Sequence, residues 1–213
     1  DVGDPVDDAD DATFKRGRFG RPGVIEDSVA NLLGEVQALA VALDGHAVDP
    51  TYSARVATLR DEWDATVATA YDPPAEVTDR LAPGLLTQAE VIGAVNEGSD
   101  PRDVVVCAAG SVPGDLHRLW RVRDHRGYHA EYGYSCMGYE IPGAIGVALA
   151  DDTRDVFAMV GDGGYLMMPT ELVVAVQERV KVIVVLVQNH GFHSIGSLSQ
   201  GLGSQRFGTS YEF

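Results

Sequence analysis

Two short apolar runs in the second half of the chain have the pattern of buried parallel strands. They occupy residues 155–160 and 181–187, and each is continuously apolar after one charged residue. Between them, residues 169–178 predict a helix that carries proline in its first turn. The unit is therefore strand, helix and parallel strand, and a right-handed crossover brings both strand ends to one edge of the sheet. Ligands of open parallel sheets bind at that edge.

The pattern upstream predicts one more strand and several helices. Residues 103–108 predict the first strand of the same sheet, and Thr87 with Glu90 forms a capping box that begins the helix before it. Asp27-Ser28 and Asp49-Pro50 are each expected to begin an earlier helix with an apolar face. The predicted fold class is α/β, a doubly wound parallel sheet preceded by a helical segment.

Local composition divides the chain into four parts. We expect a flexible tail with acidic and basic residues at 1–20, a helical segment at 21–72, a linker at 73–85 and an α/β domain at 86–213. The linker is bracketed by Pro73-Pro74 and Pro83-Gly84. The chain begins at Asp1 rather than methionine and ends soon after a glycine-rich loop, so we expect a piece of a larger enzyme whose α/β domain is truncated at its C-terminus.

Charge and cysteine content indicate which partners and which cellular compartment to expect for the protein. The chain has 32 acidic against 16 basic residues and a formal net charge of −16, which excludes nucleic acid and anionic membranes as favoured partners. A salt-adapted cytosol and a high-GC genome both remain explanations of this bias. No apolar run of membrane-spanning length and no signal peptide is present, so a cytoplasmic protein is expected. Cys107 and Cys136 are expected to be buried, reduced thiols.

The strand ends carry residues suited to a divalent metal and a diphosphate. Gly161-Asp162-Gly163 follows one predicted strand, and Asn189 and Gly191 follow the next. Mg²⁺ prefers hard oxygen ligands, which Asp162 offers as a carboxylate, Asn189 as an amide and Gly191 as a backbone carbonyl. Cofactor-binding glycines are also expected, because Gly161, Gly163 and Gly164 allow the backbone to turn sharply and its N–H groups to approach a phosphate.

This motif resembles the thiamine diphosphate signature of the pyruvate decarboxylase and acetolactate synthase superfamily. In that pattern an Asn pair follows Gly-Asp-Gly. This chain departs from it by having Gln188 where the first Asn of the pair usually stands, and it retains Asn189. The stretch that begins Ser135-Cys136-Met137-Gly138 is similar to the Gly-x-Met-Gly helix of the same superfamily. The resemblance implies that Met137 bends the cofactor and takes part in catalysis, that the Ser135 carbonyl accepts from its aminopyrimidine, and that Ser111 contacts its diphosphate.

Three denser stretches resemble one group within the superfamily, the 3D-(3,5/4)-trihydroxycyclohexane-1,2-dione hydrolases of inositol catabolism. They are residues 108–120, 129–140 and 163–168, within a resemblance that runs from about residue 86 to 213. The chain departs at Gly164, where typical members carry serine. The implied reaction is thiamine diphosphate- and Mg²⁺-dependent ring cleavage of a cyclic 1,2-dione to 5-deoxy-glucuronic acid. His129 and Glu131 are candidates for catalytic residues that line the substrate pocket.

The resemblance also implies partners and leaves alternatives open. The glutamate that activates the cofactor would belong to a separate pyrimidine-binding domain of a partner subunit, so a homo-oligomer is expected and this piece alone should be inactive. Residues 21–72 would be the end of a preceding central domain. An acetolactate synthase-like carboligase or 2-oxo acid decarboxylase stays the runner-up, because fold does not fix reaction. An inactive fragment without a formed cofactor site is the third reading.

Overall fold

The computed structural model describes residues 22–79 and 81–211, with side chains from residue 32 onward. It divides into two compact units, one that ends at Thr58 and one that begins at Leu59. This division falls within a helix, whereas the sequence placed its boundary in the linker at 73–85. The predicted tail at 1–20 lies outside the described residues, and the four-part division of the chain stays a prediction.

The first unit contains helix α1, Pro22–Ala42, and the first turns of helix α2, Pro50–Tyr71. The cap predicted at Asp49 is present, because its carboxylate accepts from the Thr51 N–H over 2.7 Å and from the Thr51 hydroxyl over 2.6 Å. The start predicted for α1 at Asp27-Ser28 is wrong, since the helix begins at Pro22, where a proline is well tolerated in the first turn. Leucines of the apolar face predicted for α1, such as Leu32 and Leu39, are more than half exposed.

The second unit alternates helices and strands. Its elements are, in chain order, α3 (Ala75–Thr78), α4 (Gln88–Gly98), β1 (Val104–Cys107), α5 (Ser111–Leu119), β2 (Tyr128–Ala130), α6 (Glu140–Ala150), β3 (Val156–Gly161), α7 (Asp162–Tyr165), a 3-10 turn (Pro169–Glu171), α8 (Leu172–Glu178), β4 (Ile183–Val187) and α9 (His193–Gly201). The capping box predicted for α4 is present: the Thr87 hydroxyl accepts from the Glu90 N–H, and the Glu90 carboxylate accepts from the Thr87 N–H.

The four strands form one parallel sheet in the order β2-β1-β3-β4. Val105 of β1 lies opposite Tyr128 on one side and Phe157 on the other. The chain leaves β1 toward β2 and then crosses to β3 on the opposite side of β1, so the direction of winding reverses between β1 and β3. The predicted doubly wound α/β class is confirmed, and this reversal creates the crevice in which such sheets bind ligands.

Alternate residues of β1 face opposite layers of helices, as the two-residue period of a strand requires. Val104 and Val106 pack in a cluster with α6, whereas Val105 and Cys107 pack with α4 and α5. All four are buried, and both clusters consist of aliphatic side chains together with Cys107 and Met159. The sheet is thereby covered on both faces, which leaves its carboxyl edge as the accessible part of β1 and β3.

The two cysteines differ in their surroundings. Both are free thiols; Cys107 is buried as predicted, but the burial predicted for Cys136 is wrong. Cys136 is exposed because it lies in the loop before α6 rather than within the helix. Among the described residues, no helix is both long enough and apolar enough to cross a membrane.

Candidate functional site

A cleft opens at the carboxyl ends of β1, β3 and β4. Its cavity has a volume of about 190 Å³, below the ~300–1,000 Å³ of typical pockets for small ligands, so it can enclose only part of a large cofactor. Its lining comes from three strand ends and from the loop before α6, and it includes Ser111, Ser135, Met137, Gly161, Gly163, Gly164, Asn189 and Gly191. Asp162, although it is not part of the lining, is buried directly behind these residues and is only 8% exposed.

The Asp162 carboxylate ties the ends of β3 and β4 together. Its Oδ1 accepts from the Gly163 N–H over 2.9 Å, and its Oδ2 accepts from the Gly191 N–H over 3.1 Å. These bonds fix the plane of the carboxylate, because each oxygen has its own backbone donor. The same two contacts draw the loop after β4 toward the turn after β3.

The Asn189 side chain lies against both the Asp162 carboxylate and the Gly191 backbone carbonyl. One terminal atom of its amide lies 3.1 Å from Asp162 Oδ1 and 3.0 Å from the Gly191 carbonyl oxygen. If that atom is nitrogen, it donates to both oxygens. If the amide is turned over, three oxygens face one another, and a cation between them offsets their repulsion.

The spacing of these atoms fits an octahedral magnesium site. Neighbouring corners of an octahedron with ~2.1 Å metal–oxygen bonds are about 3.0 Å apart, which matches both distances made by Asn189. Among residues 22–79 and 81–211, no group of three or more His, Cys, Asp or Glu side chains could hold a metal, and at this site Asp162 is joined by an amide and a backbone carbonyl instead. A carboxylate, an amide and a backbone carbonyl form the kind of mixed, hard-oxygen set that Mg²⁺ accepts.

The loop of Asn189 is held by the segment that follows α9. The Phe192 N–H donates to the Thr209 carbonyl over 2.9 Å, and the Tyr211 N–H donates to the His190 carbonyl over 3.0 Å. Gly191 has a φ of 137° and pairs with Ser210 in an isolated bridge. A Cβ at Gly191 would collide with the Thr209 carbonyl oxygen and lie 2.9 Å from the Ser210 Cα, so only glycine fits.

The loop before α6 supplies the opposite wall of the cleft. Ser135 and Met137 both line it, and Ser135 has the left-handed backbone conformation at a φ of 55°. Ser111 lines the cleft at the first residue of α5, where its hydroxyl lies 3.4 Å from the Gln88 side-chain oxygen. The structure thus gathers around one cleft every residue that the sequence proposed for cofactor or metal binding.

The other two proposed catalytic residues lie elsewhere. His129 Nε2 is 2.7 Å from the Tyr139 hydroxyl, and the pair borders a separate groove with Pro142 and Gly143 of α6. Glu131 also lies outside the lining of the cleft, and both its carboxylate oxygens accept backbone N–H groups of the following loop. Of the three residues proposed as catalytic, Met137 alone lines the cleft. The catalytic roles of His129 and Glu131 stay predictions.

Glu140 is a residue of the site region that sequence reasoning missed. It is 1% exposed, and its carboxylate accepts from the Ala109 N–H over 3.3 Å and from the Gly138 N–H over 3.0 Å. Burial raises the pKa of the Glu140 carboxyl, against the opposing effect of these hydrogen bonds. The sequence signal that could have pointed to Glu140 is that it is the one acidic residue, at the first position, of an otherwise apolar helix.

Comparisons with known proteins agree with this geometry. A family model described as the C-terminal TPP binding domain of thiamine pyrophosphate enzymes matches residues 108–213. A 3D-(3,5/4)-trihydroxycyclohexane-1,2-dione hydrolase of Bacillus cereus (strain AH820) is 41% identical over 180 residues, which cover 76% of this chain and 28% of the relative. The enzyme of that name from Bacillus thuringiensis (strain Al Hakam) is 50% identical over 128 residues, 60% of this chain and 20% of the relative.

The match is strong, but it covers a limited part of the relatives. The chain spans less than a third of the length of these hydrolases. The matched region contains strands β2, β3 and β4 and begins directly after β1. It also contains every residue of the cleft named above. Through residues 108–213, the chain therefore belongs to the thiamine pyrophosphate enzymes, as a C-terminal TPP-binding domain.

Proposed function

We propose that the full-length protein uses thiamine diphosphate and Mg²⁺ to hydrolyse one C–C bond of 3D-(3,5/4)-trihydroxycyclohexane-1,2-dione. The product is 5-deoxy-glucuronic acid, and the setting is inositol catabolism. Support comes from the family match and from relatives that carry the name of this hydrolase at 41% and 50% identity. Because the chain spans less than a third of those relatives, this activity is proposed for the whole protein and not for the isolated chain.

The observation that carries the proposal is the close approach of Asn189, Asp162 and Gly191 at the ends of β3 and β4. One Asn189 amide atom lies 3.1 Å from the Asp162 carboxylate and 3.0 Å from the Gly191 carbonyl, the separations of adjacent ligands around Mg²⁺. These three residues would hold the metal and, through it, the diphosphate. Gly163 and Gly164, at the start of α7, would let the backbone approach the same anion, with the Gly164 N–H facing it because the Gly163 N–H already donates to Asp162, and Ser111 would lie across the cleft.

The remaining residues of the cleft would position the organic part of the cofactor. The Ser135 backbone carbonyl would accept from the aminopyrimidine, and the Met137 side chain would pack beneath the cofactor and keep it bent. Thiamine diphosphate supplies the electron sink for the C–C cleavage, while the protein supplies binding and orientation. Met137 and Phe192 are apolar residues of the lining and would limit the access of water to the reacting atoms.

The proposed reaction balances with water as the only co-reactant. The bond between the two adjacent carbonyl carbons breaks; one carbon receives oxygen from water and becomes a carboxylate, and the other receives hydrogen and becomes an aldehyde. The net change adds the elements of one water molecule, and no external oxidant or reductant is needed.

The site is proposed to be completed by another domain. The cavity of about 190 Å³ is too small to enclose a whole cofactor. A pyrimidine-binding domain of a partner subunit would cover the rest of the cofactor and supply the glutamate that activates the aminopyrimidine. A homo-oligomer follows from this arrangement.

An assay of the full-length protein tests the proposal. Purified protein is freed of metal and cofactor, and then given the cyclic dione with thiamine diphosphate and Mg²⁺ together or each alone. We expect 5-deoxy-glucuronic acid only when both are present. Pyruvate is the parallel substrate: release of CO₂ or formation of acetolactate, without cleavage of the dione, would favour the decarboxylase or carboligase alternative. Binding of neither cofactor nor metal would favour the inactive-fragment reading for this domain.

A further inference from the structure

The loop that carries Ser135 and Met137 has little burial to hold its shape. Residues 132–136 are all exposed, and the Tyr134 side chain is 91% exposed. Ser135 nevertheless has the left-handed conformation at a φ of 55°, which is unfavourable for a residue with a side chain. Some interaction other than packing must therefore stabilise this loop at the wall of the cleft.

Glu131 supplies such an interaction from the start of the loop. Its Oε1 accepts from the Tyr134 N–H over 2.9 Å, and its Oε2 accepts from the Cys136 N–H over 2.7 Å. Because both bonds end on a carboxylate, they are of the stronger, charge-assisted kind. The N–H groups of Cys136 and Tyr134 hold the pKa of Glu131 below its usual value, so the charged form is the one the loop favours.

Glu140 holds the other end of the loop from within the core. Its Oε2 accepts from the Gly138 N–H, and its Oε1 accepts from the Ala109 N–H at the end of β1. The same carboxylate thus links the loop before α6 to a second segment that lines the cleft. A rigid connection results, because Glu140 is 1% exposed and is fixed in the first turn of α6.

We propose that Glu131 and Glu140 are positioning residues that form a two-carboxylate clamp on residues 134–138. The clamp binds the N–H groups of every second residue, Tyr134, Cys136 and Gly138, and the residues between them are the two that line the cleft. Glu131 then acts through the backbone of Ser135 and not on the substrate. The effect on cofactor binding rests on the proposed function, whereas the clamp itself is a property of the protein without cofactor.

Hydrogen exchange of the cofactor-free, full-length protein tests the clamp directly. Glu131→Ala removes both acceptor oxygens, whereas Glu131→Gln keeps one. We expect the amides of Tyr134 and Cys136 to exchange at least ~10-fold faster in Glu131→Ala, the change for loss of a hydrogen bond to a charged acceptor, and the acceleration to be smaller in Glu131→Gln. Glu178→Gln, at the exposed end of α8, removes the same charge and should leave this segment unchanged.

The Glu140 side of the clamp is tested in the same way. Glu140→Gln should speed exchange at Gly138 and Ala109, and the variants of Glu131, which is only partly buried, keep the test valid if this buried substitution prevents folding. Unchanged exchange of the Tyr134 and Cys136 amides in folded Glu131→Ala would overturn the clamp and leave the proposed function untouched.

A second readout separates positioning from a purely structural role. With thiamine diphosphate and Mg²⁺, Glu131→Ala should raise the Kd of the cofactor about 10-fold, and Glu131→Gln should recover part of that loss. Faster exchange together with weaker cofactor binding supports the inference. Faster exchange with an unchanged Kd would overturn the positioning role, because the loop would then be free to move without any effect on the cofactor.

Discussion

The backbone N–H of Gly191 donates to the Asp162 carboxylate over 3.1 Å, from the end of β4 to the end of β3. This bond sets the distance between the two loops that carry the proposed metal ligands. The carbonyl oxygen of the same residue lies 3.0 Å from the Asn189 amide. Asp162 thus organises the loop after β4 and is also a proposed ligand of Mg²⁺.

Loss of a proposed metal ligand should abolish metal-dependent cofactor binding. In the full-length protein, we expect Asp162→Ala or Asn189→Ala to weaken Mg²⁺-dependent thiamine diphosphate binding about 100-fold or more, because losses at residues that merely orient metal ligands already reach that range. Equilibrium dialysis measures the effect. Asp152→Ala, at an exposed site near the start of β3, is the matched control. Unchanged cofactor affinity in either ligand variant would refute the metal assignment.

Gly191 should tolerate no side chain. Gly191→Ala places a Cβ against Thr209 and forces a side chain into a backbone with a φ of 137°. The free energy of unfolding should fall by ~2 kcal/mol or more, and cofactor binding should be lost with it.

Gly201→Ala is the control for Gly191→Ala. Gly201 lies in α9, and a Cβ there meets no atom within 4 Å. Its effect on the free energy of unfolding should stay below ~1 kcal/mol. Equal losses in both variants, measured by urea unfolding, would contradict the steric argument for Gly191.

Met137→Ala should affect turnover more than affinity. The side chain lines the cleft, and its loss leaves Asp162, Asn189 and Gly191 unchanged. The cofactor would remain bound but would be free to leave its bent shape, so kcat should fall about 10-fold or more while the Kd of thiamine diphosphate changes little. Leu166→Ala, at a side chain that is 59% exposed, is the control. An unaltered kcat would remove this role from Met137.

A group of ion pairs at the amino ends of the strands, opposite the edge that carries the cleft, should make the free energy of unfolding depend on pH. Arg154 Nη1 lies 2.8 Å from Asp124 and its Nε lies 3.0 Å from Asp151. The hydrogen bond from Arg154 is the largest cause that lowers the pKa of Asp124 to about 2. A folded-state pKa below the unfolded value of ~3.9 stabilises the protein above that value, and this contribution is lost as the pH falls from about 4 toward 2.

Asp124→Asn tests this pH dependence. The variant should be less stable than the wild type at pH ~7, and the difference should shrink between about pH 4 and 2, as measured by urea unfolding. Asp152→Asn removes an exposed charge nearby and serves as the control. A difference between wild type and Asp124→Asn that persists unchanged at low pH would show that the pair with Arg154 does not cause it.

The parts of the fold that follow from local sequence were predictable. Strand β3 appears as an unbroken apolar run, and the capping box of Thr87 and Glu90 depends only on residues three apart. Strand β2 was not predicted, because Tyr128–Ala130 has three residues and no period can be read from so few. The exposure of Cys136 was also missed, since it depends on where the loop before α6 leaves the core.

The site divides in the same way. Asp162, Asn189 and Gly191 could be predicted to meet, because parallel strands end at one edge of the sheet. The environment of Glu131 could not be predicted, because its carboxylate binds backbone groups of an irregular loop and leaves no periodic signal in the sequence. His129 illustrates the limit of proximity in sequence: it is close to Met137 along the chain, but it pairs with Tyr139 in a different groove.

The most direct test of the account is the position of the metal. Crystals of the full-length protein with thiamine diphosphate and Mn²⁺ in place of Mg²⁺ allow the ion to be located by its anomalous scattering. We predict one Mn²⁺ peak bound by an Asp162 carboxylate oxygen, the Asn189 amide oxygen and the Gly191 carbonyl, with the diphosphate beside it. Cofactor bound in the cleft with Mn²⁺ at any other set of residues, or cofactor bound outside the cleft, would contradict the account.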